Sequence, residues 1–79
     1  MLSLTILDAS VAVKWFLTDE PKRDEALAIL EQVAANASLF VVPDLFFVEC
    51  AAVITRRSGF DGRFTRESLQ AMHDLGIET

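Results

Sequence analysis

Three acidic side chains stand where chemistry is possible. Asp8 closes the apolar run Leu4-Thr5-Ile6-Leu7, at a point where the chain turns through Asp8-Ala9-Ser10 toward a helix. In open α/β sheets the carboxyl ends of strands line the ligand crevice, so a carboxylate there either binds a divalent cation or caps the next helix. Ser10 is placed as an N-cap or as a hydrogen-bond partner of Asp8. Glu49 has Leu45, Phe46, Ala52 and Val53 as its i−4, i−3, i+3 and i+4 helical neighbours, all apolar. That setting predicts burial on most sides, and a buried carboxylate must be protonated, paired or bound to a metal. Asp44 follows Pro43 at a helix start, where N-capping or dipole complementarity accounts for it, with metal binding as a lesser alternative.

Other routes to chemistry are closed. There is no Gly-rich phosphate loop, no CxxC and only one histidine. His73 and Asp74 fall on a mixed helix face and read as solvent-exposed. Trp15 and Phe16 read as core or interface rather than a base-stacking platform. Cys50 lies in FFVECAAVI and reads as a small buried hydrophobe, since a single cysteine forms no internal disulfide. What is left is carboxylate-bound Mg²⁺ or Mn²⁺ acting on a phosphodiester.

The elements that position these acids are short. Leu4–Leu7 and Leu39–Val42 are partly β-branched runs that read as buried strands. Residues 11–17 read as a short, mostly apolar helix. Thr18-Asp19-Glu20-Pro21 announces a helix from about 21 to 35, with Ala26, Leu27, Leu30, Val33 and Ala34 on one face. A further helix runs from Asp44 to about Arg57. Ser58–Gly62 is a loop, Thr65 is the expected N-cap of a last helix with Phe64 and Leu69 as its hydrophobic staple, and Gly76 its C-cap. Ile77-Glu78-Thr79 reads as the start of a third strand. Strands joined by helices imply a βαβ crossover and a parallel sheet.

The 79 residues make one domain, and 52% apolar content with a mean hydropathy of +0.35 excludes a disordered tail. That content exceeds what so small a lone fold uses, which points to a partner, a self-associating surface or missing chain. The net charge of −5 argues against general binding of nucleic-acid backbone. The charge is uneven, however. Residues 1–49 hold eight acids and three bases, whereas residues 50–79 hold four of each, including Arg56, Arg57, Arg63 and Arg66. These arginines form either a solvated face or a local phosphate-contacting patch. No apolar run is long enough for a membrane span, and the N-terminus lacks the basic region of a signal peptide, so a reducing cytoplasmic setting is expected.

Two blocks, ILDASVAVKWFLTDEP and VVPDLFFVECAAVITRR, resemble the start of a PIN domain of the type found in VapC toxins. Asp8 and Ser10 match the opening Asp-x-Ser/Thr motif, and Glu49 matches the acidic residue embedded in the third helix. The resemblance covers essentially the whole chain. It implies a three-layer α/β/α PIN-like fold, here truncated, with two or three parallel strands and about four helices. Residues 1–79 would be the N-terminal portion, without the later strands and the one or two further acids that PIN domains carry.

The activity implied is that of a toxin in a toxin–antitoxin system, a metal-dependent endoribonuclease that hydrolyses RNA. Asp8 and Glu49 would ligate Mg²⁺ or Mn²⁺ and Ser10 would orient Asp8. A cognate antitoxin and a homodimer or higher oligomer are the implied partners. Arg56 and Arg57 are possible RNA contacts on grounds of charge, outside any family motif. The alternative is a catalytically silent PIN fragment that acts as a self-associating or antitoxin-binding module. A generic small α/β domain whose acids are only caps and ion pairs is a third reading.

Overall fold

The computed structural model describes residues 4–77. Strand β1 (Thr5–Ile6) pairs in parallel with β2 (Phe40–Val41), in the register Thr5 with Phe40 and Ile6 with Val41. Leu7 extends the pairing by donating its N–H to the carbonyl of Val41 at 2.8 Å. Between the strands run α1 (Ala9–Ala12), a 3₁₀ turn at Val13–Trp15, α2 (Arg23–Ala35) and a second 3₁₀ turn at Ala37–Leu39. Helices α3 (Phe46–Arg57) and α4 (Gly62–Asp74) follow β2. This is the expected α/β arrangement of four helices around a parallel crossover.

The strands are shorter and more exposed than their composition predicts. Of the run Leu4–Leu7 only Leu7 is buried, while Leu4 and Ile6 are 61% and 71% exposed. Side chains alternate along a strand, so Leu4 and Ile6 share one face. A parallel strand is buried only when both faces are covered, and the described residues do not cover that face. β1 also ends early, because Asp8 leaves the strand to cap α1. Leu39 belongs to the 3₁₀ turn rather than to β2. Of the expected third strand, Ile77 is buried outside any strand, and residues 78–79 lie outside the described residues.

Helix starts depart from the sequence reading for local reasons. α2 begins at Arg23, two residues after Pro21, because Lys22 takes a left-handed conformation with φ of +60°. The Arg23 guanidinium then donates to the carbonyls of Lys14 and Trp15 at 2.9 and 3.1 Å, and the Trp15 indole N–H donates to the carbonyl of Ala26 at 2.9 Å. These three bonds fasten the 3₁₀ turn to α2. Trp15 is buried, a core residue as its composition suggested.

The N-cap of α4 is Asp61 rather than Thr65. Its carboxylate accepts from the N–H of Phe64 at 3.0 Å, so the helix starts one turn earlier than expected. Thr65 lies inside that first turn. Its hydroxyl donates to the carbonyl of Asp61 at 3.2 Å and lies 2.9 Å from the hydroxyl of Thr55, which ties α4 to α3.

The core sits between α1, the Val13–Trp15 turn, α2, α3 and α4. Phe46, Cys50 and Ile54 repeat every four residues along α3 and are fully buried, as is Met72 of α4. The carbonyls at the C-terminal end of α3 are closed by a Schellman motif. Phe60 donates its N–H to Thr55 at 2.8 Å and Gly59 to Arg56 at 3.4 Å. Gly59 sits at φ +74°, which a side chain would oppose. Gly76 ends α4 in the same left-handed region, as its position predicts.

Candidate active site

Asp8 is set by the end of β1. Its backbone is extended (φ −90°, ψ 142°), and its carboxylate accepts the backbone N–H of Ser10 at 2.9 Å. Its carbonyl accepts from Val11 at 3.0 Å and Ala12 at 3.3 Å. Asp8 is therefore the N-cap of α1, and its side chain is exposed with one carboxylate oxygen engaged. The support expected from Ser10 comes from its main chain, and its hydroxyl points into an exposed setting.

Glu49 lies in the first turn of α3, but it is exposed, contrary to the burial its apolar neighbours predicted. Leu45, Val48 and Ala52 around it are exposed as well. The helix buries its opposite side, through Phe46, Cys50 and Ile54, and leaves this apolar side open. Glu49 thus keeps its hydration and makes no ion pair among the described residues. The requirement that it be neutralised falls away, and the carboxylate is free for an external cation.

Both acids act on one buried group. The Cys50 thiol is pushed up from 9.0 to about 12, first by burial, then by the negative charges of Glu49 and Asp8. Asp8 on the β1–α1 turn and Glu49 on α3 thus both act on Cys50, although they are far apart in the chain, because α1 packs on α3. Cys50 is fully buried and unpaired, as expected. The sequence held no local signal that Asp8 acts on Cys50, because only the packing of α1 on α3 links the two.

Two exposed carboxylates offer hard oxygen donors, which suit Mg²⁺ or Mn²⁺, and Mg²⁺ needs only one or two carboxylates beside water and substrate phosphate. Among the described residues no group of three or more His, Cys, Asp and Glu side chains is assembled for a metal. Asp44 does not cap α3, contrary to the reading of its place after Pro43. Leu45 occupies the cap position without a side-chain bond, and the N–H of Phe46 is taken by the carbonyl of Pro43 at 2.9 Å.

The arginines end α3. Arg57 pairs with Glu20 at 2.9 Å, so part of its charge is already answered. Glu20 is nearly buried in that contact, a role its place in the acidic Thr18–Pro21 stretch did not reveal. Arg56 is exposed and forms no ion pair among the described residues. Arg63 pairs with Glu67 one turn along α4 at 3.1 Å. His73 and Asp74 are exposed as expected, with the His73 ring stacked on Phe47 at 4.3 Å.

The PIN domain family matches residues 5–77, nearly the whole chain. The chain belongs to the PIN domain family. The match begins on β1 and ends on Ile77, so it contains the parallel strand pair, Asp8, Glu49 and all four helices. PIN domains are in general nucleases that use divalent metal ions, which supports a hydrolase kind of chemistry. No curated protein and no solved structure gives a significant match to the chain. Among the described residues, no helix is long and apolar enough to cross a membrane.

Proposed function

We propose that this chain carries the cation-binding part of a metal-dependent endoribonuclease, a toxin of the VapC type in a toxin–antitoxin system. The observation that carries the reading is that Asp8 and Glu49, exposed on two elements that pack together, both raise the pKa of the buried Cys50 thiol. In this reading Asp8 and Glu49 hold Mg²⁺ or Mn²⁺. The ion, when bound, polarises the scissile phosphate and lowers the pKa of a bound water. Asp8 is held for this by the Ser10 N–H, which fixes one carboxylate oxygen. Arg56, exposed at the far end of α3, is the better placed of the two candidate RNA contacts, since Arg57 is engaged by Glu20. The expected partners are RNA, a cognate antitoxin and a second copy of the chain, in the cytoplasm.

The catalytically silent module is a second reading. It is favoured by the large apolar side chains left exposed at Leu4 and Ile6 along β1 and at Leu45 and Val48 along α3.

The deciding experiment is cleavage of a structured RNA with Mg²⁺ or Mn²⁺, comparing the chain with Asp8→Asn. The substitution keeps a side-chain acceptor for the Ser10 N–H, so α1 stays capped while the ligand charge is lost. Cleavage abolished in Asp8→Asn supports the nuclease. Equal behaviour of the two proteins, whether both cut or neither does, refutes the nuclease reading of this chain and leaves the module.

A further inference from the structure

A pocket of about 450 Å³ opens where the chain leaving the Val13–Trp15 turn meets the α3–α4 connection. Phe16 to Asp19 form one wall, and Ser58, Asp61 and Phe64 form the other. Neither Asp8 nor Glu49 lines it. The Glu20–Arg57 ion pair, 2.9 Å long, ties the two walls together, since Glu20 follows Asp19 and Arg57 precedes Ser58. The volume is that of a small-molecule site.

The lining selects a cation. Its two charged side chains are both carboxylates, Asp19 and Asp61, and both residues are exposed. Asp61 accepts the N–H of Phe64 through one oxygen at 3.0 Å. Neither acid forms an ion pair among the described residues. The two arginines nearest Asp61 in the chain, Arg57 and Arg63, are held by Glu20 and Glu67. An anion would meet repulsion here, and an apolar ligand would strip water from the carboxylates without replacing it. Phe16 and Phe64, both half-buried, bring aromatic rings to the same pocket. A ring face attracts an organic cation, whereas a hydrated metal ion seeks oxygen ligands alone. Guanidinium fits best, being planar, weakly hydrated and able to stack on a ring while donating two parallel hydrogen bonds to a carboxylate.

We propose that this pocket binds a guanidinium group, held by Asp19 and Asp61 beside the Phe16 and Phe64 rings. The group comes from an arginine side chain of another polypeptide or from a free guanidino compound, and both present the same chemistry. The site uses neither Asp8 nor Glu49 and holds whether or not the chain cleaves RNA. Exposed ion pairs and cation–π contacts are each weak, so a dissociation constant on the order of 10 mM is expected for the bare group.

Backbone amide chemical shifts, followed by NMR at constant ionic strength, test this. The probe is ethylguanidinium, with N-ethylurea as its neutral counterpart and Mg²⁺ as a hard cation. Saturating shifts centred on residues 16–19 and 58–64 are expected with ethylguanidinium alone. Asp19→Asn and Asp61→Asn should each weaken binding about threefold, and the double variant about tenfold. Asparagine still accepts from the Phe64 N–H, so α4 stays capped, and circular dichroism checks that each variant keeps its helices. Agmatine and N-acetylarginine amide then distinguish the sources. Tighter binding of the first assigns a free compound, and tighter binding of the second a polypeptide side chain. The proposal is overturned if ethylguanidinium causes no shifts, or shifts only around Asp8 and Glu49. It is overturned too if N-ethylurea or Mg²⁺ moves the pocket residues equally, or if the double variant binds as well as the unaltered chain. RNA cleavage is not part of the readout, so failure here leaves the nuclease reading standing.

Discussion

Replacing Glu49 by Gln, or Asp8 by Asn, is expected to lower the pKa of a residue that neither change touches, Cys50. The thiol is raised from 9.0 to about 12 by burial, by Glu49 and by Asp8, in that order. The rise of about 3 units amounts to roughly 4 kcal/mol of preference for the neutral thiol. At pH 8 the thiolate is then about one part in ten thousand, against about one in ten for a thiol at 9.0, so ionisation alone slows alkylation about a thousandfold.

The chain has one cysteine and no tyrosine, so thiolate absorbance rises without a tyrosinate background. A pH titration of that absorbance, followed alongside circular dichroism, gives the midpoint in each variant. Glu49→Gln should move it down further than Asp8→Asn, and the double variant furthest. None should return to 9.0 while the fold holds, because burial is the largest cause.

The same shift predicts a stability profile. A thiol whose folded pKa is raised stabilises the fold fully below 9.0, and that contribution is lost as pH rises from 9.0 toward 12. Melting temperature should fall across that window and be flat with respect to Cys50 below it. An unchanged midpoint in Asp8→Asn would refute the reasoning, since it would remove the Asp8 carboxylate from the neighbourhood of Glu49.

Two further substitutions test the scaffold. Asp61→Ala removes the N-cap of α4 and should cost about 1 kcal/mol in urea unfolding. Ile54→Ala deletes a fully buried side chain between α3 and α4 and should cost about 2–5 kcal/mol, a large share of what so short a chain has, seen as a lower urea midpoint.

What the sequence told depended on how local the cause was. The parallel crossover followed from two β-branched runs separated by a helix, and the position of Asp8 followed from the end of the first run. Cys50 and Trp15 were legible as core because their apolar surroundings matched their burial. The helix starts were legible to within a turn. The left-handed Lys22 and the choice between Asp61 and Thr65 as cap depend on backbone geometry that residue type only biases. Glu20 escaped notice because its partner, Arg57, comes from a distant part of the chain.

Glu49 shows the sharper limit. Apolar neighbours say that a helix face wants cover and leave open what supplies it. Phe46, Cys50 and Ile54 find their cover inside this chain, whereas Leu45, Val48 and Ala52 do not. The periodicity is equally apolar on both sides, so the sequence alone could not tell core from interface. The charges separate them. The buried side carries no ionisable group but a thiol held neutral, and the open side carries Glu49 and Arg56 one heptad apart. The candidate ligand Glu49 therefore lies on the side of α3 whose cover the described residues do not supply.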